Sequence, residues 1–219
     1  MTASEPLYVS SPTSVRAGAF ARTCQATHLL GRLIRLLNDR QDESFMRFTE
    51  AIQMHRTITA LTNLLPPEVE QSPERFGTSM SLCYAALFHL CDRFACTEAN
   101  RGEHTVEETE MQTVAISGLK TTSADALQFA RLLSHTMTTN LAATSPLTAD
   151  CLYQTAAQYA WLVHETGEES IAHAYQMIVN TLTLMDGRWA VAGEYLKVLD
   201  EGRETLYNNN VLLTRPIQH

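Results

Sequence analysis

All seven prolines of this 219-residue chain are confined to Pro6, Pro12, Pro66, Pro67, Pro73, Pro146 and Pro216, which leaves three long intervals with none. An interior proline removes a helical hydrogen bond and clashes with the preceding turn, so these intervals are where helices can run. Within them apolar residues recur every three or four positions, and no window alternates with period two for long enough to make a strand. The pattern predicts an all-α fold of roughly eight amphipathic helices, packed as an irregular bundle or a short helical array.

From about Val15 to Asn38, Leu29, Leu30, Leu33, Ile34 and Leu37 form one face, and Arg32 and Arg35 fall off it. A second helix, from about Phe45 to Leu65, carries Phe48, Ile52, His55, Ile58 and Leu61 and is ended by Pro66 and Pro67. A third, from about Phe76 to Ala99, places Met80, Cys83, Tyr84, Leu87, Leu90, Cys91 and Phe94 on a stripe wide enough for a central helix. Thr105 and Glu108 have capping-box spacing and open a fourth helix at about Val106. A break is expected between Gly118 and Ser123, with Ala126, Ala130, Leu133 and Met137 on the helix that follows.

Ser145 as a cap and Pro146 at the first helical position open a sixth helix with Cys151, Leu152, Ala156, Tyr159, Ala160 and Val163, stopped at Gly167. The seventh carries Ala172, Tyr175, Ile178, Val179, Leu182 and Met185 up to Gly187, and the eighth carries Trp189, Ala192, Leu196 and Leu199. Helix pairs after Ser145 have the spacing of a helical-repeat hairpin, although no fixed period recurs. Residues 1–14 are expected to form an N-terminal extension, 15–205 a single helical domain, and 206–219 a C-terminal tail, a loop or frayed end from about Leu206 that includes Asn208, Asn209 and Asn210.

A chain of this length can bury roughly 70% of its unfolded surface without a disulfide or metal staple. Its 16 Lys plus Arg against 24 Asp plus Glu give a net charge of -8, the wrong sign for neutralising a phosphate backbone, so no direct nucleic-acid contact is expected. The charged fraction of 18% is below the roughly 25% of ordinary soluble domains and implies a surface partly meant for contact. Cys24, Cys83, Cys91, Cys96 and Cys151 are odd in number and widely spaced, which fits reduced thiols in an intracellular protein. The longest strongly apolar stretch, Leu82 to Cys91, is about half a membrane span, and no signal peptide precedes it.

The local spacings that assemble catalytic groups are missing: there is no G-x-S-x-G elbow, phosphate loop or H-E-x-x-H zinc helix. No catalytic residue, metal or cofactor is expected. Glu169 and His173 share a helix face as a solvent-side charge pair, and Cys91 and Cys96 beside His89 are expected to be buried, inert thiols. His28, His55, His135 and His164 lie on four helices as packed or interfacial groups. Tyr159, Trp161, His164 and Glu165 mix aromatic and titratable groups on one helix, as a ligand-facing wall would, with core or interface packing as the alternative.

Four stretches, in this order, carry a resemblance: "SPTSVRAGAFARTCQATHLLGRLIRLLND" from Ser11, "ALFHLCDRFACTE" from Ala86, "SPLTADCLYQTAAQYAWLVHETGEE" from Ser145 and "RWAVAGEYLKVLDE" from Arg188. The more specific pieces are Ala21, Arg22, Gln25 and Ala26 leading into Leu30 and Gly31, and the ending Arg188, Trp189, Ala192, Tyr195, Leu196. Together they resemble the C-terminal part of the middle homology region of fungal binuclear zinc-cluster transcription factors, from about Ser11 to Glu201. The resemblance implies a helical regulatory region that restrains or relays activation, in the nucleus if joined to a DNA-binding cluster. The six-cysteine cluster, the basic linker, the dimerising coiled coil and the first half of the homology region are not in this sequence, so an excised domain or a truncated relative acting alone is expected.

By position, Arg22, Gln25 and Arg32 are expected to be structural or interfacial, and Arg188 with Trp189 to anchor the last helix. A buried arginine there would need a carboxylate, for which Glu194 and Asp200 are candidates. If Trp189 is core, its replacement by alanine should cost about 3–5 kcal/mol. A ligand pocket is expected between the third, sixth and seventh predicted helices, lined by Tyr84, Phe88, Tyr159 and Tyr175, with Trp161 and His164 as further contacts. The expected partner is a small-molecule effector, a co-regulator or a second copy of the chain, and no membrane. Two other readings stand beside the regulator: a ligand-free helical scaffold, and a small enzyme for a hydrophobic metabolite that derives from a truncated relative.

Overall fold

The computed structural model describes the backbone of residues 17–38, 44–95 and 105–213 and the side chains of 17–38, 46–95 and 105–202. These residues form α1 (Ala19–Asn38), α2 (Ser44–Thr62), α3 (Pro66–Gln71), α4 (Pro73–Ala95), α5 (Val106–Asn140), a 3-10 turn (Leu141–Ala143), α6 (Thr148–Thr166), α7 (Glu169–Asp186) and α8 (Ala190–Leu213). There is no strand among the described residues, and the fold is all-α as the periodicity predicts. No helix among them is long and apolar enough to cross a membrane. The chain divides into two compact units, Met1–Ala126 and Leu127–His219, at a boundary inside α5 and inside the span 15–205 that the sequence treats as one domain. The expected extension at 1–14 lies outside the described residues.

In the first unit α4 is the packing centre, with α1, α2 and α3 set against it. It is buried continuously from Ser79 to Phe88 and again at Leu90, Cys91 and Phe94, and a helix apolar on nearly every side has to be enclosed by others. The α1 face is rotated from the predicted one: Leu29, Leu33 and Leu36 are buried, whereas Ile34 is 50% exposed. The rotation follows from Arg22, Gln25 and Ala26, which are buried on the same face and carry it toward the α3 carboxylate described below. On α2, Ile52, Ile58 and Leu61 are buried as predicted, and each such side chain contributes about 1.5–3 kcal/mol of apolar transfer free energy. Pro66 and Pro67 end α2 but also open α3, because proline is tolerated in a first turn where its missing N–H has no partner to lose.

Thr105 Oγ1 accepts the Glu108 N–H at 3.2 Å and caps α5 as its spacing predicts. The predicted break between Gly118 and Ser123 is absent, and α5 is continuous for 35 residues. A single helical glycine costs only about 1 kcal/mol against alanine, too little to interrupt a helix whose Met111, Ala115, Ala126, Ala130, Leu133 and Met137 are all buried.

The second unit packs α6, α7 and α8 against one another in pairs, joined by links of two and three residues. Ser145 Oγ accepts the Leu147 N–H at 3.3 Å, but Pro146 lies in a turn and α6 begins at Thr148, two residues later than predicted. Gly167 ends α6 at φ 65°, in the left-handed region that glycine enters without a Cβ clash. Gly187 follows α7 in a right-handed conformation, and the Arg188 and Trp189 N–H groups both donate to Met185 O. Of the loop or frayed end expected from Leu206, the loop is corrected as far as Leu213, to which α8 runs. Asn208, Asn209 and Asn210 lower helix propensity by less than about 1 kcal/mol each, and no proline intervenes before Pro216.

Candidate functional site

A cavity of about 460 Å³ opens within the first unit between α2, α4 and α5, a size within the roughly 300–1,000 Å³ range of small-molecule sites. Ile52, Leu87 and Val114 supply apolar wall, and His55, Thr59, Thr62, Asn63, Tyr84, Thr122 and Asp125 supply polar groups. The approach of α5 to its neighbours depends on Gly118, where a Cβ would stand 2.7 Å from Cys91 Sγ and 3.0 Å from His55 Nε2. No other residue type permits so close a contact of the helix backbone with those two side chains. The glycine that marked a predicted break is therefore a packing residue beside the cavity.

His55 is half-buried, and burial together with the Arg56 guanidinium holds its imidazole below the ordinary 6.5. It is therefore neutral at physiological pH, with one nitrogen donating and the other accepting. Burial pushes the Cys91 thiol up to about 12, and Asp92 adds to the shift. Although both residues meet Gly118, Cys91 stays a protonated thiol and not an activated nucleophile. Thr59 differs from its neighbours. Thr57 and Thr62 donate to the carbonyls four residues before them, at 2.8 and 2.9 Å, whereas the Thr59 hydroxyl is buried without a partner among the described residues. A buried polar group left unpaired costs about 1–3 kcal/mol, and this oxygen, closed to solvent, carries that cost inside the packing beside the cavity.

Of the residues predicted to bind a ligand, Tyr84 lines this cavity. Phe88, one turn further along α4, is fully buried in the core and does not line it. Tyr159, Trp161, His164 and Tyr175 belong to the second unit. Tyr159 and Tyr175 are buried there, Trp161 is 52% exposed, and His164 is half-buried with Nδ1 3.4 Å from Glu165 Oε1. The expected wall on α6 is not a single surface, because two positions turn a helix by about 200° and send Tyr159 and Trp161 to opposite sides.

The arginine expectations divide. Arg22 is buried and bonds both Gln25 Oε1 and the Glu68 carboxylate, while Arg32 is exposed 3.5 Å from Glu50. Near Trp189 there is no buried arginine among the described residues: Arg188 is exposed, with its guanidinium 4.9 Å from the Trp189 ring centre. Glu194 instead pairs with Lys197 at 2.7 Å, and Asp200 is exposed. Glu169 and His173 stand 3.8 Å apart on an exposed face of α7. Cys91 is fully buried, and Cys96 lies outside the described residues.

Sequence reasoning passed over Thr59, Asn63, Thr122 and Asp125, which share no periodic signal. The usable clue was Gly118, a glycine kept inside an otherwise strong helical pattern. Neither the family models, nor the characterised proteins, nor the solved structures compared with this chain match it.

Proposed function

We propose that the chain is a regulatory domain that senses a small molecule, of the kind implied by its resemblance to fungal zinc-cluster transcription factors, and that it works in the nucleus as part of such a factor. The observation that carries the reading is the cavity against α4, with the apolar side chains of Ile52, Leu87 and Val114 and a neutral His55 in its wall. Because α4 is the element on which α1, α2 and α3 pack, a ligand held against it acts on the packing centre of its unit. A switch then needs only a ligand that binds one arrangement of these helices better than another, commonly by about 1–3 kcal/mol. The fully buried Cys91 thiol stays protonated, so it supplies no activated nucleophile here.

The test joins the chain to a heterologous DNA-binding domain and follows a reporter and the thermal melt across a metabolite panel. A cognate ligand raises Tm with the logarithm of its concentration and changes the reporter. Val114→Trp, which fills the cavity, removes both responses while the helical circular dichroism is kept. Flat melts across the panel count against the reading.

A second reading, an interaction scaffold, draws on the second unit, where Leu147, Trp161, Leu184, Val191 and Val198 are 41–52% exposed. Sedimentation that shows a monomer at every accessible concentration removes self-association from it.

A further inference from the structure

Gly118, Thr122 and Asp125 line the cavity from α5, recurring at four and three positions and so sharing one face of that helix. Thr122 is 4% exposed, and its hydroxyl has no hydrogen-bond partner among the described residues. Its neighbours differ, since Thr121 donates to Ser117 O at 3.2 Å and Ser123 to Leu119 O at 2.7 Å. Asp125, one turn beyond Thr122, is exposed at the rim and has neither a hydrogen bond nor an ion pair among the described residues. Partial burial raises its carboxyl pKa above the ordinary 3.8, and no cation offsets the rise.

Most polar groups of the wall do not select a ligand by charge. The neutral His55 imidazole, the Asn63 amide and the hydroxyls of Ser117 and Thr122 each donate and accept. The selection falls to the two charged residues. Arg56 is paired with Glu110 Oε1 at 3.4 Å, and Glu110 lies about 22 Å from Asp125 along the α5 axis. The remaining Arg56 N–H groups serve that end of the cavity, and the uncompensated charge at the other end is the Asp125 carboxylate. A primary ammonium carries a positive charge and three N–H donors. Placed beside Asp125, it gives one N–H to the carboxylate in a charge-assisted bond and another to the free Thr122 oxygen. An apolar body joined to it rests on Leu87, Val114 and Ile52.

We propose that the cavity takes a primary amine with an apolar body, its ammonium held between Asp125 and Thr122. This rests on the cavity being the ligand site of the regulatory reading. Asp125 sets the charge of the ligand, and Thr122 adds a second acceptor for its N–H groups.

The test uses the full chain and three probes of similar shape: 2-(2-naphthyl)ethylamine, 2-(2-naphthyl)ethanol and 2-naphthylacetate, titrated by NMR with Val114 and Leu87 methyl shifts as the readout. The expected result is binding of the amine about tenfold tighter than the alcohol, with the carboxylate weakest. Asp125→Asn, at an exposed position, should bring the amine down to the level of the alcohol and leave the alcohol unchanged. Thr122→Val, nearly isosteric, should weaken the amine about fivefold. Equal affinity for amine and alcohol, or tightest binding of the carboxylate, overturns the amine specificity and leaves the cavity as a ligand site. Equal weakening of amine and alcohol by Asp125→Asn overturns the role given to its charge. If none of the three moves these methyls the inference falls, and the regulatory reading is then decided by the metabolite panel alone.

Discussion

Arg22 on α1 and Glu68 on α3 form a two-pronged ion pair, with Nε 3.2 Å from Oε2 and Nη2 3.3 Å from Oε1. Arg22 is 3% exposed and also donates to Gln25 Oε1, so its charge sits inside the first unit and depends on the α3 carboxylate for its neutralisation. Removing one partner of a buried pair strands the other charge. Glu68→Gln is expected to lower stability by about 2–4 kcal/mol, the low side of the usual range because the Glu68 side chain keeps 23% of its exposure. The double variant Arg22→Met, Glu68→Leu should be more stable than Glu68→Gln alone, since it leaves no unpaired charge. Urea midpoints of the three variants decide it, and a Glu68→Gln midpoint equal to wild type would show that the pair is not what fixes α3.

Two glycines in helix interiors should respond to alanine in opposite directions. At Gly31 a Cβ meets nothing within 4 Å, so Gly31→Ala gains helix propensity and should stabilise by about 0.5–1 kcal/mol. At Gly118 the same methyl lands on Cys91 Sγ, an atom of a fully buried side chain that has little room to withdraw. Overpacking there should outweigh the propensity gain and leave a net loss of about 1–2 kcal/mol. Adding Cys91→Ala should recover at least half of that loss, measured against Cys91→Ala alone. A Gly118→Ala protein as stable as wild type would mean that α5 does not depend on this contact.

The same glycine marks the limit of what the sequence made legible. Helical periodicity located the helices well, because a repeat of three and four positions is a local property that burial reads directly: every residue of the predicted α4 stripe is buried. Boundaries failed where the deciding contact is distant in sequence. Gly118 reads as a breaker until Cys91 and His55 are seen against it, and the α1 face is tilted by a carboxylate 46 residues away from Arg22. The cavity was less legible still. Only Tyr84 was foreseen, because Thr59 on α2, Asn63 just after it, and Thr122 and Asp125 on α5 become neighbours through packing alone.

His55 makes stability pH-dependent with a definite sign. Its folded-state pKa is lowered from 6.5 by burial and by Arg56, so below that value the unfolded chain takes up a proton that the folded chain does not. Stability is then full above about pH 6.5 and falls as pH drops from there through the folded-state pKa. His55→Gln, which keeps a polar group and cannot titrate, should flatten the loss between about pH 7.5 and about pH 5.5 relative to wild type. Urea midpoints at the two pH values for both proteins give the comparison. Parallel losses in the two would place the acid sensitivity in other groups.

Trp189 connects two links of the second unit. Its indole Nε1 donates to Thr144 O at 3.0 Å, tying the entry to α6 to the corner between α7 and α8, while its backbone N–H donates to Met185 O at 2.8 Å. The ring is half-buried, with the exposed Arg188 guanidinium over it, so the alanine cost expected for a core tryptophan is too high for this one. Trp189→Ala should cost about 2–3 kcal/mol instead, in proportion to the smaller area it withdraws from water. Trp189→Phe keeps most of the ring and leaves the carbonyl of the buried Thr144 without its indole donor, at a cost of about 1 kcal/mol or slightly more. Arg188→Ala removes only an exposed cation over the ring and should cost about 0.5 kcal/mol. The order alanine, phenylalanine, Arg188→Ala in urea midpoint loss is therefore the signature of a hydrogen-bonded corner. If Trp189→Phe is neutral while Trp189→Ala is costly, the ring acts by packing and the bond to Thr144 contributes nothing.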